Sequence, residues 1–139
     1  MAVKFVEHKA DVLFKASASS FPKALEEAAS AMFGTIAKTR SLKESRKVKI
    51  KAHAFGLNAL VVGVLTELLI QQEAQEVFWK RFKVSKFEGS KGSFKIEGVA
   101  YGSPYNPKLG LTDVKAVTYH ELKVEEKKGK CTITVFPDV

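Results

Sequence analysis

The chain has 139 residues, 45% of them hydrophobic and 27% charged, a globular balance that excludes a disordered or fibrous protein and fits a single core. A formal net charge of +8 at pH 7 favours an anionic partner, RNA among them, while one cysteine, Cys131, excludes an internal disulfide and any CxxC metal pair. The longest apolar run, residues 59–65, falls far short of the roughly 20 needed to cross a bilayer, and MAVKFVEHKADVLF lacks the apolar segment of a secretory leader, so the expected setting is the cytoplasm, with no membrane.

After a short apolar start, Val12, Phe14, Ala16 and Ala18 alternate with Lys15, Ser17 and Ser19, which predicts a half-buried strand following the polar cluster His8, Lys9 and Asp11. Ser20 is a good N-cap and Pro22 suits a first helical turn. Leu25, Ala28, Ala29, Met32, Phe33 and Ile36 then keep the helical period, with the end expected from Gly34 through residues 35–41. Val48, Ile50, Ala52 and Ala54 alternate with Lys47, Lys49, Lys51 and His53, a strand with an apolar inner face and a row of cations outside. A phosphate backbone, plain solvation, and protection of a sheet edge all account for that row.

A second helix is expected from Gly56 or Asn58, with Leu57, Leu60, Val61, Val64, Leu65, Leu68 and Leu69 as its apolar stripe and Val62 and Ile70 widening it. Such a helix needs cover on more than one side, which fits its lying across a sheet, with a partner protein as an alternative source of part of that cover. From Val77 the helical period stops. Phe82 and Val84, then Phe94, Ile96 and Ala100, predict two strands joined through residues 88–92. Phe78, Trp79, Phe82 and Phe87 interleave with Lys80, Arg81, Lys83 and Lys86, a pattern that fits core packing first and base stacking second. Residues 102–110, with Pro104, Asn106 and Pro107, read as a loop.

The stretch DVKAVTYHELKV, residues 113–124, reads as a strand. Val114, Ala116, Thr118, Leu122 and Val124 share one face, interrupted by His120, and Lys115, Tyr119, Glu121 and Lys123 share the other with Val117. After a turn at residues 127–130, Cys131, Ile133 and Val135 alternate with Thr132, Thr134 and Phe136 in a last strand. The sum is one α+β domain over residues 1–139, two helices packed on a mainly antiparallel sheet of about six strands.

The sequence holds no GxSxG, no HExxH, no Gly-rich phosphate loop and no cysteine beside a base, which argues against an independent enzyme. Polar chemistry gathers instead at His8 and Asp11, in the run from Asp113 to His120, and at Asp138, whose neighbour Val139 contributes an α-carboxylate. Two carboxylates within two residues, joined by one such as Asp11, make a set suited to a hard cation such as Ca²⁺ or Mg²⁺. Fraying of a terminus is the competing reading.

His8-Lys9-Ala10-Asp11-Val12, Leu65-Thr66-Glu67-Leu68-Leu69, Val114-Lys115-Ala116-Val117-Thr118-Tyr119-His120 and the closing Asp138-Val139 together resemble the archease family nearly end to end. The resemblance implies a small α+β protein that is not itself an enzyme. It would activate an RtcB-type tRNA-splicing RNA ligase by promoting its guanylylation and turnover; chaperone-like action towards RNA-modifying enzymes, such as an RNA methyltransferase, is also proposed for the family. It implies metal ligands at Asp11, Asp138 and Val139 for a divalent cation, Ca²⁺ first and Mg²⁺ or Mn²⁺ as alternatives, a functional lysine at Lys115, and supporting roles for His8 and His120. Any contact with tRNA would be indirect. Two positions depart from the family pattern: Lys9 replaces a usual Thr, adding a cation beside the proposed site, and Pro137 stands where an aliphatic residue is common. A stand-alone RNA-binding module, using the lysine row and the aromatic-basic hairpin, remains the rival from the residues alone.

Overall fold

A computed structural model describes the backbone of residues 2–8 and 11–139, and side chains from Leu13 onward. In chain order it runs β1 (Ala2–His8), β2 (Asp11–Ala18), α1 (Phe21–Ile36), β3 (Arg46–Phe55), α2 (Leu57–Gln75), β4 (Val77–Ser90), β5 (Ser93–Pro104), β6 (Lys123–Lys127) and β7 (Lys130–Val135), with 3₁₀ turns at Thr39–Ser41 and Pro107–Leu109. The α+β class holds. Among the described residues seven strands divide between two antiparallel sheets, β1-β2-β7-β6 and β3-β5-β4, where one sheet of about six was expected.

Helix α1 starts where expected. Ser20 is its N-cap in extended backbone, with Pro22 in the first turn, and although the Ser20 side chain makes no capping hydrogen bond, its carbonyl accepts from Ala24 N–H at 2.9 Å. The helix packs on β2 and β7 of one sheet and on β4 of the other, so its fully buried Leu25, Ala28, Ala29 and Met32 join both sheets into one core.

Helix α2 lies mainly on β3, and Leu60, Val61, Val64, Leu65 and Leu68 are fully buried. The chain's own sheet supplies the cover the stripe requires, leaving Ile70, at 52% exposure, as the large apolar side chain still open to solvent on this helix.

The β4–β5 hairpin turns at Lys91-Gly92, both with positive φ (52° and 80°), the pair of left-handed residues a tight two-residue turn needs. Its aromatics point inward: Trp79 and Phe82 are 2% exposed, Trp79 Nε1–H donates to the Leu68 carbonyl at 3.0 Å, and Phe87 packs against Phe21 and Phe94. Core packing therefore accounts for that interleaved pattern. Register shifts at Trp79/Arg81 and Val84/Lys86 face Gly102 and Gly98, where an added Cβ would collide with the Phe78 carbonyl and with the Phe82 ring.

Two expectations need correction. Strand β5 continues through Gly102 and Ser103 to Pro104, so the loop is shorter than residues 102–110. More consequential, residues 113–122 are not a strand: only residues 123–127 of the last hairpin's first arm are paired as β6. Ala116 forms one isolated bridge, residues 119–121 turn with Glu121 at φ 57°, and the buried pair is Val114 and Val117, three apart rather than alternating. Val117, expected on the outward face beside Lys115, packs inward.

Candidate functional site

Burial of Val114 and Val117 fixes the short segment between them and leaves Lys115 exposed. Lys115 N–H donates to the Asp138 carbonyl at 2.8 Å, and Asp138 N–H donates to the Ala116 carbonyl at 2.9 Å. Two residues thus oppose one, the count of a β-bulge, a device that re-aims side chains at a sheet's margin. Pro137 is buried on one side of Asp138, and Val139 is half-buried against the core on the other. The Asp138 carboxylate is therefore exposed on a backbone pinned at both flanks.

His120 belongs to the same end of the molecule. Its ring meets Phe136 edge-on at 5.3 Å between centroids, and its main-chain N–H donates to Thr118 Oγ1 at 3.2 Å, closing the turn that follows Lys115. The imidazole is exposed and touches the residue two before Asp138, so it braces the terminal segment.

Asp11 opens β2, and His8 pairs with it across the β1–β2 connection. Their side chains, and Lys9 altogether, lie outside the described residues. Strand β2 pairs with β7 from Ala18↔Cys131 to Phe14↔Val135; Asp11 lies three residues beyond Phe14 and Asp138 three beyond Val135, both past the last paired residues. Among the described residues there is no cluster of three or more His, Cys, Asp or Glu placed to hold a metal, and the predicted set requires Asp11.

Lys115 stands at the rim of an open cleft of about 640 Å³ between α2 (Thr66, Leu69, Ile70) and residues 113–117. A second cleft of about 450 Å³ adjoins it, lined by Phe78, Tyr105 and Leu111. Tyr105, in the stretch expected to be a loop long enough to carry function or to move, links them. Its hydroxyl donates to the Gln72 carbonyl at 3.1 Å, and burial, then Glu73, Glu76 and Asp113, raise its pKa above 10.0. The only sequence signal for it was an aromatic between Pro104 and Pro107.

The model of the Archease protein family matches residues 4–139. The chain belongs to the archease family. It is 35% identical to the archease of Methanosarcina acetivorans over 98% of this chain and 94% of that one, and 35% identical to that of Methanopyrus kandleri over 90% of each. The solution structure of Methanobacterium thermoautotrophicum protein 1598 superposes with a TM-score of 0.83 at 23% identity, covering 99% of this chain and 98% of that one. The crystal structure of a Thermotoga maritima archease, described as a possible chaperone, gives 0.61 at 18% identity, covering 98% and 96%. At those identities the two structures speak to the fold, which they share with this chain. No helix among the described residues is long and apolar enough to cross a membrane.

Proposed function

We propose that this archease-family protein activates an RtcB-type tRNA-splicing RNA ligase, promoting its guanylylation and its multiple turnover without a catalytic centre of its own. The observation that carries the reading is the fastening of Asp138 beside Lys115 through paired main-chain hydrogen bonds. That arrangement sets an exposed ammonium next to exposed carboxylate chemistry, in a segment with no regular sheet to build.

Asp138, Asp11 and, in a protein that ends at Val139, the terminal carboxylate would hold a divalent cation. The donors are all oxygen, which suits Ca²⁺, with Mg²⁺ or Mn²⁺ as alternatives. When bound, the cation supplies positive charge next to a phosphate. Lys115 does the same from the protein side: guanylyl transfer is promoted by positioning and charge neutralisation, and an ammonium at the rim of the contact surface meets a phosphate oxygen of the ligase-bound nucleotide. His120, held on Phe136, keeps the terminal segment in place, and His8 supports Asp11 from β1.

The deciding measurement is guanylylation of the ligase with substoichiometric archease. Asp138→Ala and Lys115→Ala are each expected to abolish multiple turnover; wild-type turnover from both removes these residues from the mechanism. A chaperone-like reading, with an RNA methyltransferase as client, is favoured by the exposed Ile70 and Leu111, which border the two clefts. Suppressed aggregation of that enzyme, unchanged in Asp11→Ala, is its signature.

A further inference from the structure

The outer face of the β3-β5-β4 sheet is not covered by either helix, and its charges fall into two groups. Along β4 the cations are partnered: Arg81 makes a two-pronged pair with Glu44 at 3.0 Å and lies over the Tyr101 ring, Lys83 reaches Glu26 at 3.9 Å, and Lys86 reaches Glu88 at 3.4 Å. Along β3 they are not. Lys47, Lys49, Lys51 and, across the ladder, Lys95 are exposed, and among the described residues none has a carboxylate within ion-pair distance. The cross-strand neighbours of Lys47 and Lys49 are Tyr101 and Val99, whereas Lys51 faces an acid, Glu97, and Lys95, beside His53 on β3, faces Glu88 on β4.

Protection of a free edge is served by lysines on β3, which borders the sheet. It leaves unexplained why Lys47 and Lys49 stand in line with Lys51 and have no acid across the ladder, where an opposite charge would stabilise the sheet. Alternate residues of a strand lie about 6.6 Å apart, a spacing comparable to that of successive phosphates along one nucleic-acid strand. At the end of the row Phe55 is 79% exposed, its ring set edge-on to His53 at 5.4 Å, and His53 is held by Ser93 Oγ at 2.8 Å. An exposed aromatic beside a line of free ammonium groups is the pairing that single-stranded nucleic acid uses, phosphates on the cations and a base on the ring.

We infer that this face binds single-stranded RNA through Lys47, Lys49, Lys51 and Lys95, with Phe55 stacking a base. The inference goes beyond the ligase reading and stands on the sheet face alone.

The test is fluorescence anisotropy of a labelled oligouridylate with the full chain. Between about 50 and 200 mM salt the log of the affinity should fall against log salt with a slope of about −2 to −3, three or four phosphates at roughly 0.7 each. The triple variant Lys47→Gln/Lys49→Gln/Lys51→Gln should lose about two units of slope and about tenfold or more in low-salt affinity. Phe55→Ala should weaken binding about tenfold with the slope unchanged, since stacking is not screened by salt. The control triple Lys127→Gln/Lys128→Gln/Lys130→Gln, at the β6–β7 turn, makes the same change of net charge elsewhere and should stay within about twofold of wild type. Equal losses from both triples, or equally tight binding to polyglutamate or to phosphatidylserine vesicles, overturn the inference. Ligase guanylylation involves no RNA chain, so the β3 triple should leave it intact, and Lys115→Ala should leave RNA affinity intact; each reading can fail without the other.

Discussion

Strand β3 and residues 113–122 look alike as sequence, each alternating apolar with polar side chains, yet one is a ten-residue strand and the other has a single bridge. In β3 every residue has a partner on β5, from Arg46↔Gly102 to Phe55↔Ser93. In the other stretch the partner runs out. The β6–β7 ladder extends from Lys127↔Lys130 to Lys123↔Thr134, and past Val135 it would have to continue onto Phe136 and Pro137. Pro137 has no N–H to donate, and Glu121, left-handed, turns the opposing chain away, so the two meet again only at Ala116 and Asp138. Alternation reports which side chains accept burial; a strand also needs a neighbour with free donors.

The largest expected difference between the two stretches is in the core each one supports. Ile50 is 0% exposed in the middle of β3, and Ile50→Ala should cost about 2–4 kcal/mol in urea unfolding. Val114 is 6% exposed, and Val114→Ala, which removes two methyl groups, should cost about 1–2 kcal/mol. Equal costs would mean that the irregular segment is as integral to the core as the strand it resembles.

The same contrast decides what could be read beforehand. The period of Leu25 to Ile36, the alternation of β3 and the inward Trp79 and Phe82 were all legible, because burial within one element repeats along that element. The strand assigned to residues 113–122 failed because its fate depends on Pro137, whose missing donor acts across the sheet rather than along the chain. Lys115 and Asp138 were singled out from motif residues, and their adjacency is a product of main-chain pairing between segments far apart in sequence. Tyr105 went unnoticed since its significance comes from the end of α2, a long way off in sequence.

A smaller effect, of opposite sign in the two stretches, comes from glycine. Glu121 holds φ at 57°, a conformation that costs an L-residue, so Glu121→Gly should stabilise the protein by about 0.5–1 kcal/mol. Lys49→Gly in β3 should destabilise by a similar amount, because there the chain is extended and glycine only adds freedom to lose. Urea midpoints that move in the same direction for both would sink the claim that the turn at residues 119–121, and not a strand, is the native state.

The smallest effect separates ladder from loop by pH. Burial, with Glu126 adding to it, lifts the Cys131 thiol on β7 above its ordinary 9.0, and burial lifts the Tyr105 phenol of the irregular region above 10.0. In both cases the folded state holds the proton more tightly than the unfolded state. The contribution is therefore complete below the unfolded pKa and is lost as pH rises through the folded one. Urea stability should thus begin to fall just above pH 9 through Cys131 and should fall further above pH 10 through Tyr105. Cys131→Ala should remove the first part of the decline and Tyr105→Phe the second. A Tyr105→Phe profile identical to wild type would mean that the acidic surroundings of the cleft, Glu73, Glu76 and Asp113, do not bear on that phenol in solution, and that the segment they border is looser than its hydrogen bond to Gln72 implies.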